Sequence, residues 1–335
     1  MRYSKLLIPT MKETPAEAEI PSHQLLLRAG YARKVASGTY AYLILGHRCL
    51  KKIMAIVKAE MDAADAQDIL PPILQPIELW QKTGRDVDYG DTLSRHIDRH
   101  GRTNVLAPTA EEVMTDLIAR EVSSYKQLPI NLYQVNAKFR DEFRPRFGAL
   151  RSREFIMKDA YSFDATEEGL DKSYQAMHDA YCRIFEKCGL DYVVVDAATG
   201  EIGGTGSQEF MIRCDAGEDL ILSSENGDYA ANVETAGIGT REFCLTGDPT
   251  GERDTVHTPE LKAIEEVGKF LKVKAPNFLK TLVFQRANGG WVIAVVRGDH
   301  DLNENKLKAL AGNDITMEFD LNAAQAAGFA IGFVG

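Results

Sequence analysis

Between Lys138 and Phe155 the chain reads KFRDEFRPRFGALRSREF, five arginines and a lysine in eighteen residues of a protein with net charge −10. Extended to Lys158, the stretch holds seven basic and three acidic residues. Guanidinium groups suit phosphate because a planar donor fork matches two oxygens and its charge does not titrate away. Pro145 and Gly148 mark a loop, so the pattern predicts a hairpin with strands over Phe139–Glu142 and Arg151–Phe155. Side chains alternate across a strand, which puts Arg140 and Glu142 on one face, and likewise Arg151, Arg153 and Phe155. At least two guanidiniums, a carboxylate and a stacking ring then meet one ligand. The chemistry that fits is a nucleoside triphosphate held on a sheet. Solvated ion pairs with Asp141, Glu142 and Glu154 account equally well for any single arginine, and such pairs contribute little. They do not account for the whole string within an acidic chain.

Three further groups have types and spacing that bear on chemistry. In TAEEVMTDLIAREV, Thr109 and Glu112 have the spacing of a capping box ahead of a helix carrying Val113, Met114, Leu117 and Ile118 on one face. That box leaves Glu111 without a role. The glycines of GEIGGTGSQEF imitate a dinucleotide fingerprint, but the residues after them read as a strand, so the phosphate-on-helix argument fails. Lys280, in FLKTLVF, and Asp299 with His300, in VVRGDHDLNENK, read by themselves as a strand-edge charge and a polar turn.

The elements that must position these residues alternate along the chain. Leu50, Ile53, Met54, Val57 and Met61 recur at helical spacing, and that helix is expected to end near Ala66. DILPPILQPIELW, with three prolines, reads as an extended edge segment through Trp80. INLYQVNAKF and EFIMKDAYSF read as strands flanking the basic loop, and Leu170 to Phe185 as the longest amphipathic helix. Short strands follow in DYVVVD, EFMIRC and DLILS. From Ser224 to Thr255 the chain turns polar and rich in glycine, aspartate and threonine, a candidate boundary. Beyond it Thr258 and Pro259 look like the start of a helix through Leu261, Ile264, Val267 and Leu271, and TLVFQ pairs with WVIAVV across RANGG. The expected domains are 1–223 and 224–335.

At 335 residues, 44% hydrophobic and 26% charged, the composition is that of a globular protein with room for two domains. No apolar run of eighteen residues is present, and the acidic balance argues against a non-specific nucleic-acid binder. The five scattered cysteines, without CxxC spacing, suit free thiols in the cytoplasm.

FRDE, a loop and then RSREF resemble motif 2 of the class II aminoacyl-tRNA synthetases. The wider string YKQLPINLYQVNAKFRDEFRPRFGALRSREFIMKDAYSF resembles the bacterial-type prolyl-tRNA synthetase family, as do AGYARKVASGTYAYLILG, ELWQKTGR, and GGTGSQEF followed by DYAAN. The resemblance implies an α/β (α+β) fold, a class II catalytic core with a mostly antiparallel sheet and flanking helices, followed by a truncated α+β editing insertion. It implies ATP-dependent activation of proline, transfer to tRNA(Pro), and hydrolytic clearing of mischarged alanyl-tRNA(Pro) by the insertion.

Carried over by position, Arg140 holds the ATP α-phosphate and the amino-acid carboxylate, Glu142 meets the adenine side, Arg151 reaches the γ-phosphate, and Phe155 stacks on adenine. Thr109 and Glu111 contact the substrate amine, Ser207 and Glu209 line the pocket, and Lys280 is the polar residue of editing. Magnesium accompanies the ATP, with no ligands assigned. Pro72 falls at the motif 1 proline of a homodimer interface. Ala107, Gln208 and the segment YLILG depart from the family's usual residues. Motif 3 and the anticodon-binding domain are not found, so the chain is expected to be an N-terminal fragment, inactive alone. The competing readings are an inactive synthetase-like binding protein and a nucleotide-binding scaffold.

Overall fold

A computed structural model of the chain describes residues 2–199, 206–237, 252, 254–258, 261–286, 289–312, 314–316 and 320–330. Contacts divide the chain into two units, Met1–Tyr192 with Ile212–Ala216, and Val193–Met211 with Gly217–Gly335. Among the described residues no helix is long and apolar enough to cross a membrane.

The first unit opens with α1 (Pro21–Arg28), where Pro21 occupies a first-turn position that has no intrahelical bond to lose. A hairpin of β1 (Ala32–Ala36) and β2 (Thr39–Tyr42) leads into the 20-residue α2 (Ile44–Ala63). This helix stops three residues short of the expected Ala66. Asp65 adopts φ 58, which turns the chain back into β3 (Gln67–Asp68). After β4 (Leu74–Pro76) the chain departs from the sequence reading, because Ile77 to Trp80 are helical. Pro76 serves as the extended N-cap of α3 (Ile77–Thr83), and the helix turns Ile77 and Trp80 inward. α4 (Arg85–Asp88), β5 (Arg95–Ile97) and β6 (Thr103–Leu106) follow, the strands ordered β4-β6-β5 with antiparallel pairing.

After α5 (Glu111–Glu121) come the two longest strands, β7 (Ile130–Phe139) and β8 (Glu154–Phe163). They pair antiparallel without a register break, from Ile130 opposite Phe163 to Phe139 opposite Glu154. Alternation separates their two faces. One face sends Tyr133, Val135 and Ala160 into a core with Met61 of α2 and with Ala180 and Ile184 of the 21-residue α6 (Glu167–Lys187). Thr166 caps that helix, its hydroxyl accepting from the Gly169 N–H at 3.1 Å. The opposite face carries Gln134, Lys138, Phe155, Asp159 and Tyr161.

In the second unit β9 (Val193–Asp196), β10 (Gln208–Met211), β11 (Ile221–Ser223) and β12 (Ala230–Asn232) form a sheet ordered β10-β9-β12-β11. The boundary expected at 223/224 from composition falls inside this sheet. A polar stretch need not lie outside a sheet when its backbone pairs: Ser223 opposes Ala230, and Ala231 opposes Asp196. Further along, α7 (Ile264–Leu271) begins six residues after Thr258. Its first turn is closed by Glu266, which accepts from the Ala263 N–H at 3.3 Å, so Thr258 does not cap it. Pro259 and residues 287–288 of the expected turn lie outside the described residues. β13 (Leu279–Arg286) and β14 (Trp291–Arg297) form the expected antiparallel pair; α8 (Glu304–Ala311), β15 (Ile315–Thr316) and α9 (Leu321–Ala326) complete the unit. The fold is α+β with mostly antiparallel pairing, as the sequence led us to expect.

Candidate functional site

The basic stretch departs from the predicted strands in an instructive way. The ladder ends at Phe139 and Glu154, and beyond it Arg140 adds one bond, donating its N–H to the Arg153 carbonyl at 2.9 Å. The Glu142 N–H then turns back onto the Arg140 carbonyl at 2.7 Å. Strand alternation therefore does not decide which side chains of 140–153 converge. The seat of the loop decides it. The Arg153 N–H donates to the Gly38 carbonyl at 2.7 Å, and the Asp141 N–H to the Thr92 carbonyl at 3.0 Å. Gly38 has φ +72, and a Cβ there would lie 2.7 Å from Pro145 Cβ. Gly148 has φ +65 and would drive a Cβ to 2.6 Å from the His23 ring. The turn between β1 and β2 and the helix α1 thus hold the loop where both glycines let backbone approach closely.

Arg140, Glu142, Arg151 and Phe155 all line one cavity of about 310 Å³, with Tyr42 and Leu50 on its wall. The Arg140 guanidinium lies over the Phe155 ring, 5.4 Å from its centroid. Arg151 grips Glu142 with Nη2 at 3.0 Å and Nε at 3.2 Å from the same carboxylate oxygen. Arg140 Nε is buried without a hydrogen-bond partner. A buried donor left unmade is costly, and an anionic ligand oxygen would satisfy it. The cavity can hold a charged, flat ligand between guanidinium, carboxylate and ring.

A second polar cluster lies at the start of α5. The predicted capping box does not form: Ala110, not Thr109, is the N-cap, and no side chain caps it. The Thr109 hydroxyl is instead 3.3 Å from the Tyr161 hydroxyl, which accepts from the Ala110 N–H at 3.0 Å. Tyr161 in turn donates to Asp159, whose carboxylate also accepts from Gln134 Nε2 at 2.8 Å and pairs with Lys138 Nζ at 3.0 Å. Burial first, then the negative charges of Glu111 and Asp159, push the Tyr161 phenol well above its ordinary range, so it stays protonated and donates. Glu112 turns to Arg85, 2.8 Å away, while Glu111 stands 3.4 Å from the same Nη1. Burial raises the Glu112 carboxyl, against the opposing pull of Arg85.

The β7–β8 ribbon carries residues of both clusters on one face, Phe155 at the cavity and Asp159 and Tyr161 beside Thr109. The Tyr89 phenol accepts from Arg85 Nη2 at 3.2 Å. The Phe139 N–H donates to the Ala107 carbonyl at 3.2 Å, tying β7 to the segment that leads into Thr109.

The remaining candidates belong to the second unit. Glu209 is on β10, its carboxyl raised by partial burial and by repulsion from Asp219 and Glu234. Ser207 precedes that strand, its carbonyl accepting from the Ala197 N–H at 3.0 Å. Residues 200–205, which include most of the glycines of GEIGGTGSQEF, lie outside the described residues. Lys280, on β13, pairs with the exposed Asp301 at 3.3 Å. Asp299 is held by Arg297 through two oxygens, at 2.5 and 2.9 Å, which keeps its carboxyl below the usual range. Among the described residues no group of three or more His, Cys, Asp or Glu side chains is placed to hold a metal ion.

Sequence reasoning passed over Arg85, Lys138, Asp159 and Tyr161. The two on β8 carried a signal, since Phe155, Asp159 and Tyr161 fall at period-two positions on one face. Arg85 closes ELWQKTGR, one of the strings that carry the resemblance, but nothing local pairs it with Glu111, 26 residues and two strands away.

Comparison with known proteins accords with this geometry. Residues 92–301 match the tRNA synthetase class II core domain (G, H, P, S and T). Proline--tRNA ligases of Geotalea daltonii and Geobacter metallireducens are 52% and 51% identical over 336 residues, covering all of this chain and 59% and 58% of theirs. The chain therefore spans about three-fifths of the length of these relatives. A crystal structure of prolyl-tRNA synthetase from Cryptosporidium parvum, complexed with halofuginone and AMPPNP, matches 56% of this chain and 39% of that one, with TM-score 0.51 and 17% identity. That likeness is one of fold. The match to the core domain covers well over half of the residues, and the chain belongs to the class II tRNA synthetase family.

Proposed function

We propose that this chain carries the adenylate-forming site of a proline–tRNA ligase. The observation that carries the reading is the convergence of Arg140, Glu142, Arg151 and Phe155 on one cavity, with Arg140 Nε buried and lacking a hydrogen-bond partner. The proline carboxylate attacks the α-phosphorus of ATP, pyrophosphate leaves, and the prolyl group then passes to the terminal ribose of tRNA(Pro). Arg140 holds both the attacking carboxylate and the α-phosphate, and stabilises the charge that develops there. Thr109 and Glu111 hold the secondary ammonium, and Phe155 stacks on adenine.

Glu142 and Arg151 add a condition. They are assigned to the adenine side and to the γ-phosphate, yet their side chains are 3.0 Å apart. Both roles hold together only if ATP binds folded back, its γ-phosphate turned toward its own base. Magnesium enters with the phosphates as part of the substrate, an arrangement that calls for few protein ligands.

In the second unit Ser207 and Glu209 are substrate-binding residues, and Lys280 serves the editing of alanyl-tRNA(Pro). Editing follows from the small discrimination, about 1–3 kcal/mol, that a proline-shaped pocket exerts against a smaller side chain. The cytoplasmic enzyme is a homodimer joined around Pro72, which is exposed beside the exposed Leu70 and Leu74.

Binding of a non-hydrolysable prolyl-adenylate, 5′-O-(N-prolylsulfamoyl)adenosine, to this chain tests the proposal. It is expected to bind roughly tenfold or more tightly than its alanyl counterpart. Binding of neither compound sinks the reading, and equal binding of both returns the site to a nucleotide-binding scaffold.

A further inference from the structure

The proposed reaction gives Arg85 no part, yet its surroundings are built with care. Its side chain is only 10% exposed and packs against two rings that also touch each other edge to face, 5.6 Å from the centroid of Trp80 and 5.3 Å from that of Tyr89, the two centroids being 5.5 Å apart. Trp80 is fully buried, and its indole N–H donates to Gln75 Oε1 at 3.2 Å. The guanidinium is held against this edge-to-face pair of rings, the phenol accepting a hydrogen bond from Nη2 at 3.2 Å. From there Nη1 reaches two carboxylates of successive residues at once, Glu112 Oε1 at 2.8 Å and Glu111 Oε2 at 3.4 Å.

Two carboxylates against one guanidinium leave the cluster one negative charge in excess. The two are not equivalent. The Glu112 side chain is 1% exposed, also accepts from the Thr83 hydroxyl at 3.3 Å, and makes the shorter bond to Arg85. Glu111 is 28% exposed and makes the longer one. Without the guanidinium, two adjacent carboxylates would share a poorly solvated helix start, which a folded protein relieves by protonating one or by moving it. A lysine would not substitute fully, because a point charge lacks the planar fork that serves two acceptors.

We infer that Arg85 is a positioning residue for the substrate amine: it cancels the buried Glu112 and aims Glu111, leaving one carboxylate charge for one ammonium. The inference rests on the proline-activating reading above and adds the source of its amine selectivity.

The test compares two ligands that differ only at the amine, the prolyl and the cyclopentanecarbonyl sulfamoyl adenosines, in binding to this chain. The wild-type chain is expected to prefer the prolyl compound by about tenfold or more, the scale of a charge-assisted hydrogen bond. Arg85→Gln should bring that preference within about twofold and leave the cyclopentanecarbonyl compound bound as in wild type, with Arg85→Lys falling between. An unchanged preference in Arg85→Gln overturns the inference. Equal losses for both ligands also overturn it, since they would show a merely structural role. Should Arg85→Gln fail to fold, the comparison is read on Arg85→Lys, where a wild-type preference overturns the inference. A wild-type chain that binds neither ligand rejects the underlying reading instead.

Discussion

Two buried carboxylates on opposite sides of the β7–β8 ribbon are both ion-paired, yet they are perturbed in opposite directions. Glu60, on α2, accepts from Lys187 and Arg183 of α6, and these hydrogen bonds hold its carboxyl below the ordinary range. Glu112, on α5, shares one guanidinium with Glu111, and burial raises its carboxyl. The first cluster has two cations for one anion, and both cations keep solvent contact. The second has one cation for two anions, and that cation is nearly enclosed. A satisfied carboxylate fastens two helices together. An under-compensated pair stores charge for a ligand, and perturbed groups of this kind gather at functional sites. Glu60 should therefore matter to stability alone, and the cluster on the other face to binding.

The largest expected effect lies on the binding side. Arg140→Ala should weaken the prolyl-adenylate analogue by about a hundredfold or more, since charge-assisted bonds to both carboxylate and phosphate are lost. Near-normal titration of that variant would return Arg140 to the class of surface ion pairs. Tyr161→Phe removes the donor to Asp159 and the acceptor of the Ala110 N–H, which position Thr109. We expect about a tenfold loss confined to ligands that carry the amine; a loss shared by ligands without it would break the assignment.

On the other face, Glu60→Gln should cost about 1–3 kcal/mol in urea unfolding with analogue affinity unchanged. A change in affinity would mean that the two faces are not energetically separate. The smallest effect is in the pH dependence. A depressed carboxylate contributes stability that is present above its ordinary pKa, 4.5 for Glu60, and lost as pH falls through its folded value. The stability gap between wild type and Glu60→Gln should thus hold steady from neutrality to about pH 5 and close in more acid solution. For the raised Glu112 the sign reverses, its contribution being present at acid pH and lost as pH rises through the folded value. Glu112→Gln should gain on wild type as pH rises, and parallel profiles for the two variants would remove the contrast.

The ribbon shows why one part of this molecule is legible in its sequence. INLYQVNAKF and EFIMKDAYSF read as strands and match β7 and β8, because ten-residue strands with one buried face repeat the same local signal many times; only the extensions expected to Glu142 and from Arg151 fail. Short elements carried no such redundancy. The run through Trp80 read as extended until Pro76 proved to be a helix N-cap, and Thr258 read as a cap six residues ahead of its helix. The capping box at Thr109 failed for a different reason. Tyr161, 52 residues away, offers the Thr109 hydroxyl a partner that no local pattern announces.

By itself the sequence determined which chemistry is present: a basic loop between two strands, its four nucleotide candidates, and a Thr-x-Glu segment that resembles an amino-acid site. The tertiary structure decided their arrangement. Alternation could not extend past Phe139, so the convergence of Arg140, Glu142, Arg151 and Phe155 on one cavity depends on Gly38 and Gly148 seating the loop. It likewise decided that Arg85, whose partners no local pattern announces, packs against Trp80 and Tyr89 and reaches two carboxylates. Local periodicity records which face a residue lies on, whereas charge balance in a buried cluster depends on groups brought together only when distant segments pack.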